Sequence, residues 1–252
     1  MTSAALVEWN PPATAKALLV CLPHAGSGAF QFRPWQELLG PDIALLAVQL
    51  PGRESRWREE PLTGMAEVLD ELAPALAARI GLPYFVFGHS MGALVGYELA
   101  RALGREHGRW PRGFVASACR APDDQGEPSR TPLLTDQQLV DELVAEGAVP
   151  AALAANSRLA SAVARPLRGD SAICDSYAPP GEDTLLPCPV GAWRGRDDAG
   201  VTDEHIRRWR AWSTGADTVR TFPGDHFYHH ADPRNVTAEL RAFVLGLLPP
   251  HG

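Results

Sequence analysis

A serine framed by glycines, Gly88-His89-Ser90-Met91-Gly92, follows the apolar run Tyr84 to Phe87 and opens onto Met91 to Leu103, a proline-free segment rich in helix formers. Strand, tight turn and helix in that order hold the serine in a strained backbone conformation, and side chains two positions to either side would strike neighbouring backbone. Gly88 and Gly92 meet that demand. The hydroxyl then stands at the carboxyl end of a strand and at a helix N-terminus, whose free N–H groups can stabilise a developing oxyanion. This is the chemistry of acyl transfer, with Ser90 as the nucleophile.

A serine hydroxyl is a poor nucleophile at neutral pH and needs a base within hydrogen-bond reach, which histidine supplies best. Of eight histidines, His226 is the best placed: Val219 to Phe222 reads as a strand and Pro223-Gly224-Asp225 as the turn beyond it. His229 and His230 read as the start of a surface helix near Asp232-Pro233. A metal site built from His226, His229 and His230 matches no familiar ligand spacing, so none is expected. The base needs a carboxylate to fix its tautomer, and Asp198 follows the strand-like run Pro189 to Trp193 and the turn Gly195-Arg196-Asp197. Spacing alone does not separate Asp198 from Asp197. An oxyanion hole needs two backbone donors: Met91, immediately after the serine, and Ala25, with Gly26 second, in the loop Leu22-Pro23-His24-Ala25-Gly26-Ser27-Gly28. His24 is expected to shape that loop.

The elements that must position these residues are apolar runs alternating with amphipathic segments. The runs are Ala17 to Leu22, Ile43 to Leu50, Tyr84 to Phe87, Phe114 to Ala118, Val190 to Trp193 and Val219 to Phe222. Between them lie helical patterns near Phe32 to Leu39, Met65 to Ile80, Met91 to Leu103, Asp203 to Trp212 and Thr237 to Leu248. Such alternation predicts an α/β architecture, a mostly parallel central sheet with helices on both faces, whose ligands sit at the carboxyl ends of the strands. The chain order Ser90, Asp198, His226 is that of the α/β-hydrolase fold. From Cys119 to Pro189 the alternation breaks into a Pro-rich loop and two helical patterns, Thr135 to Glu146 and Ala151 to Leu167, with no strand evident. The expected organisation is one domain over residues 1–252, with 121–188 as a helical lid insertion above the sheet's carboxyl edge.

The chain has 252 residues, 45% of them apolar, enough for a large core. Its net charge of −7 argues against a general nucleic-acid binder. No apolar stretch approaches the roughly 20 residues of a membrane span, and Met1 to Asn10 lacks the basic start of a signal peptide. A cytoplasmic protein is expected. The four cysteines, Cys21, Cys119, Cys174 and Cys188, are scattered without C-x-x-C spacing; Cys21 and Cys119 read as buried small hydrophobes. Arg53, Arg56 and Arg58 form a local basic cluster that could be a docking surface or a solvated loop.

Four phrases together carry a resemblance that extends over nearly the whole chain: Leu22-Pro23-His24-Ala25-Gly26, Gln49-Leu50-Pro51-Gly52-Arg53-Glu54, Gly88-His89-Ser90-Met91-Gly92-Ala93 and Phe222-Pro223-Gly224-Asp225-His226-Phe227. In this order they resemble the type II thioesterases that accompany polyketide synthases and nonribosomal peptide synthetases. Departures from that family's pattern are Asp225 directly before His226 and Ala199 directly after Asp198. The resemblance implies an α/β-hydrolase that removes acyl or aminoacyl groups from the phosphopantetheine thiol of an acyl or peptidyl carrier protein. It implies an enzyme with no metal and no bound cofactor, the phosphopantetheine belonging to the substrate; a monomer is expected. His24, Gln49 and Arg53 are put forward for substrate contact, and Arg53, Arg56 or Arg58 for docking of the carrier. The alternative is an esterase acting on free small esters with the same three residues.

Overall fold

A computed structural model of the chain describes residues 4–145, 149, 152, 155–181 and 184–249. Each apolar run becomes a strand: β2 (Ala17–Leu22), β3 (Ile43–Val48), β4 (Tyr84–His89), β5 (Gly113–Ser117), β6 (Val190–Gly195) and β7 (Asp217–Phe222). They pair in parallel in the order β3-β2-β4-β5-β6-β7, and β1 (Leu6–Val7) adds an antiparallel edge on β3. The expectation of a mostly parallel sheet holds. β1 escapes a sequence reading because two residues carry no periodicity.

Strand β2 shows why these segments read as unbroken apolar runs. Leu18, Val20 and Leu22 enter one core, Ala17, Leu19 and Cys21 the other. A strand buried on both faces alternates between two cores and needs apolar residues at every position. The first core is closed by α2 (Met65–Ala77) and α3 (Met91–His107) through Val68, Leu72, Leu76, Val95, Leu99 and Leu103. The second is closed by α1 (Trp35–Leu39) and the last helix (Pro233–Gly246) through Trp35, Leu39, Val236, Leu240 and Val244. Each fully buried Leu, Val or Phe contributes about 1.5–3 kcal/mol, so the sheet is a stiff frame. The four cysteines are free, and Cys21 and Cys119 pack as small hydrophobes.

Between β5 and β6 the described residues form α4 (Asp136–Ala145) and α5 (Ser157–Asp175), packed on each other, and no strand. The expected helix over Ala151 to Leu167 is matched from Ser157 on by α5, which continues beyond Leu167 to Asp175. Asn156 caps α5, its Oδ1 accepting from the amides of Arg158 and Leu159 at 3.0 and 3.3 Å, and the helix runs past Pro166 to Asp175. Positions 151, 153 and 154 of the expected segment lie outside the described residues. The remaining short helices are α6 (Asp203–Arg207) and α7 (Tyr228–Ala231), and the helix Pro233–Gly246 is α8. Among the described residues no helix is long and apolar enough to cross a membrane.

Candidate active site

The carboxyl ends of β2, β4, β6 and β7 carry Ala25, Ser90, Asp198 and His226 in the loops that follow them. Ser90 follows β4 directly and has φ +53° and ψ −124°, a conformation that L-residues avoid. The geometry around it explains both glycines: a Cβ on Gly88 would collide with the Gly92 carbonyl and Ala93 backbone, and one on Gly92 with the Leu22 and Pro23 carbonyls. The Ser90 amide donates to the Ser117 carbonyl at 2.8 Å, which ties the turn to β5. Ser90 also occupies the N-cap of α3, a helix of 17 residues. The positive end of its dipole therefore faces the hydroxyl.

The turns after β6 and β7 are bonded to each other through the backbone. Arg196 N–H donates to Phe222 O at 2.8 Å and Asp197 N–H to Gly224 O at 2.9 Å. Their proximity brings His226 Nδ1 to 2.8 Å from Asp198 Oδ2. Asp198 is 6% exposed, and its Oδ1 accepts from the amides of Gly200 and Val201 at 2.9 and 3.1 Å. Burial pushes its carboxyl upward, but the hydrogen bond and charge of His226 and the two amides outweigh that, leaving it below the ordinary carboxylate range. An ionised Asp198 accepts the Nδ1 proton, so Nε2 of His226 is left with a free lone pair. Asp197, its sequence rival, has an exposed side chain.

Ser90 and His226 line one cavity of about 340 Å³. Its wall includes Met91, Leu94, Arg120 and, from the insertion, Gln125, Cys174 and Tyr177. Among the described residues, no hydrogen bond occupies the amides of Ala25 and Met91, whereas the Gly26 amide donates to Asp170 Oδ2 at 2.7 Å. Gly26 therefore has no N–H to offer an oxyanion.

Residues 17–243 match the thioesterase domain family. The chain belongs to that family. It is 33% identical over 222 residues to the gramicidin S biosynthesis protein GrsT of Aneurinibacillus migulanus, covering 88% of this chain and 86% of GrsT. Two solved structures are similar throughout. The type II thioesterase BorB from the borrelidin biosynthetic cluster superposes with a TM-score of 0.88 at 32% identity, over 98% of this chain and 99% of BorB. RedJ, a thioesterase of the prodiginine pathway of Streptomyces coelicolor, gives 0.84 at 34% identity, over 96% of this chain and 95% of RedJ. This thioesterase thus has the α/β-hydrolase fold expected from its sequence.

Three side chains put forward for substrate contact, His24, Gln49 and Arg53, are not among the cavity's lining residues. Gln49 is fully buried; its Oε1 accepts from Ala29 N at 2.9 Å and its Nε2 donates to Arg53 O at 3.0 Å. Arg53 is 5% exposed and forms a two-pronged ion pair with Asp170. Arg56 is buried as well and paired with Glu59 and Glu71, leaving only Arg58 exposed, stacked on Trp57. The expected arginine docking surface is therefore corrected to two internal struts and one surface residue. Asp170 and Glu71 lie on α5 and α2, away from the cluster, and a lone sequence shows only charge.

His24 donates Nδ1–H to the Ala25 carbonyl at 3.0 Å and packs against Phe227, so it shapes the loop as expected. His229 is buried, contrary to the surface reading, with its ring centroid 3.9 Å from that of His89. His229 and His230 both point Nε2 to Gln31 Oε1, at 3.1 and 3.0 Å. Burial, then the charge of neighbouring rings, drives the pKa of His24 down to about 3 and those of His89 and His229 well below the usual value. Among the described residues no group of three or more His, Cys, Asp or Glu is disposed to hold a metal.

Sequence reading missed Asp170, Ser117 and Tyr228. Ser117 Oγ lies 2.8 Å from His89 Nδ1 and 2.6 Å from the Tyr228 hydroxyl, bracing the floor beneath Ser90. Asp170 had a usable signal: it falls on the buried stripe of α5 with Ala160, Ala164, Leu167 and Ile173. A carboxylate on an apolar stripe demands a buried partner.

Proposed function

We propose that this thioesterase hydrolyses acyl groups from the phosphopantetheine arm of carrier proteins in polyketide or nonribosomal peptide biosynthesis, as an editing enzyme separate from chain assembly. The carrying observation is that Ser90 and His226 face one cavity while the buried Asp198 holds His226 from behind. His226 Nε2 removes the Ser90 proton as Oγ attacks the thioester carbonyl. The amides of Met91 and Ala25 hold the oxyanion, and the thiol of the arm leaves with the proton from His226. A water activated by His226 then cleaves the acyl-serine. Nucleophile, base, acid and electrophilic donors all come from the chain, so the cycle calls on no metal and no resident cofactor. Residues 121–188 act in this reading as an insertion within a single domain, roofing the cavity with Gln125, Cys174 and Tyr177.

The test is release of acetyl or propionyl groups from a loaded acyl carrier protein, with the same group on a short free thiol for comparison. Fast release from the carrier, slower release from the free thioester and none with Ser90→Ala is the expected result. Equal inertness of the native enzyme and Ser90→Ala on the carrier, with native activity on small oxyesters, would replace this reading by a free-ester hydrolase.

A further inference from the structure

The helical insertion and the loop bearing Ala25 are fastened together by one carboxylate. Asp170, on α5, has no exposed surface. Its Oδ2 accepts from the Gly26 amide at 2.7 Å and from Arg53 Nη1 at 2.5 Å, and its Oδ1 accepts from Arg53 Nη2 at 2.8 Å. The same Arg53 Nη1 donates to Ser27 O at 3.0 Å, and Nε donates to Pro51 O at 3.2 Å. The two residues after Ala25 are thus gripped by one buried ion pair, Gly26 through its N–H and Ser27 through its carbonyl. Leu167, one turn earlier on α5, packs on the same spot, 3.5 Å from where a Gly26 Cβ would stand. Gly26 itself has φ +79°, so the chain turns sharply at the point where Asp170 holds it.

We infer that Asp170 is a positioning residue for the oxyanion hole: seating α5 over the sheet orients the Ala25 amide, and lifting α5 releases it. The inference rests on the role given to Ala25 above. Its physical basis is that a donor aids a transition state only when held in place before charge develops. A buried, bidentate Arg–carboxylate pair fixes direction as well as distance. Asp170 touches no substrate; it acts through Gly26 and Arg53.

The experiment compares the native enzyme, Asp170→Asn and the double variant Arg53→Met with Asp170→Leu, which removes both charges so that neither is left buried alone. Three quantities are read: kcat and KM on an acyl carrier protein thioester, affinity for a boronic acid that forms a tetrahedral adduct on Ser90, and Tm. The expected result for both variants is a fall in kcat of about 10- to 100-fold, somewhat less than removal of a whole oxyanion donor. KM stays within about threefold, and boronate affinity drops by the same factor as kcat/KM. Unchanged boronate affinity and kcat in whichever variant folds, even with a lowered Tm, would make Asp170 a purely structural residue and overturn the inference. Ser90→Ala on the same substrate separates the two levels. If it stays active, the reading of the site fails; if it is dead while Asp170→Asn matches native, only the tether fails.

Discussion

The two walls of the proposed site, the acid–base side and the oxyanion side, are built in opposite ways. The acid–base wall is local: Asp198 and His226 stand 28 residues apart, each in the turn directly after a strand, and the two turns bond to each other through adjacent backbone. The oxyanion wall, in the reading proposed above, is assembled from afar. Its loop is held by Asp170, 144 residues beyond Gly26, and the amides of Ala29 and Phe30 just after it by Gln49 and Glu54 from the segment after β3. A proton relay needs only two side chains in register with neighbouring strands. A backbone donor has no side chain with which to orient itself, so other side chains must hold the loop from outside.

The contrast breaks most visibly on the acid–base side. Asp198→Asn preserves shape but removes the charge that keeps the Nδ1 proton on His226, and kcat should fall by about 10³- to 10⁴-fold with KM little changed. Asp197→Asn, one residue away and exposed, should stay within about twofold. Steady-state kinetics on a carrier-bound thioester check both. A large loss at Asp197 with little at Asp198 would reverse the assignment.

Where the walls meet, the rings of His24, His89 and His229 pack together without solvent. Their folded pKa values are depressed, about 3 for His24. Below about pH 6.5 the unfolded chain binds protons that the folded rings refuse, so stability falls with pH by up to about 1.4 kcal/mol per unit for each ring. The loss continues down to each folded pKa. Asp198, also depressed, stabilises the fold above its unfolded pKa of about 4 and adds to the loss only below that. Tm measured from pH 8 to pH 4.5 should hold near neutrality and then decline steeply from about pH 6. A flat profile would mean that the rings are not kept neutral.

The same contrast explains what could be read from the chain. Strands β2 to β6 are legible because burial on both faces leaves unbroken apolar runs, whereas β7, an edge strand in which only Phe222 is buried, is legible from Val219, Phe222 and the turn beyond it; Ser90, His226 and Asp198 are legible as the residues these strands hand to one edge. Adjacent Asp197 and Asp198 stay indistinguishable until the turns dock, because which carboxylate faces inward depends on the β6–β7 pairing. Strands β6 and β7 extend beyond their apolar runs, through Arg194 and Gly195 and from Asp217, because ladder hydrogen bonds rather than hydrophobicity set those ends. Gln49 and Arg53 were opaque individually. Partners that fix them, Ala29 and Asp170, lie 20 and 117 residues away, and polar side chains in a loop look like solvent contacts until the fold surrounds them.

On the oxyanion wall a smaller effect tests whether the remote props are needed for the fold itself. Gln49→Ala leaves the buried Ala29 amide and Arg53 carbonyl without partners, at a cost of about 1–3 kcal/mol for each stranded group. Tm should drop by about 4 °C at the least and up to about 24 °C, at roughly 2–4 °C per kcal/mol for a chain of this size. A Tm within about 2 °C of native, below the smallest shift this relation predicts, would indicate that the loop finds other partners.

The smallest effect is expected outside both walls. Arg58 is the one member of the Arg53, Arg56 and Arg58 cluster with an exposed side chain, and its described contact is a stack on the equally exposed Trp57. An exposed cation–π contact is worth about 0.5–1 kcal/mol, and surface substitutions away from packed features stay within about 0.5 kcal/mol. Arg58→Glu should therefore leave Tm within about 2 °C and kcat/KM on a carrier-bound thioester within about twofold. Arg56→Glu, by contrast, forces a carboxylate against Glu59 and Glu71 in a buried site and should lower Tm sharply. If Arg58→Glu raised KM for the carrier tenfold while KM for a free thioester stayed put, the carrier would be reading this edge of the oxyanion wall from outside. The segment after β3 would then both brace the loop and receive the partner, and the division between a locally built wall and a remotely braced one would need a third term for recognition.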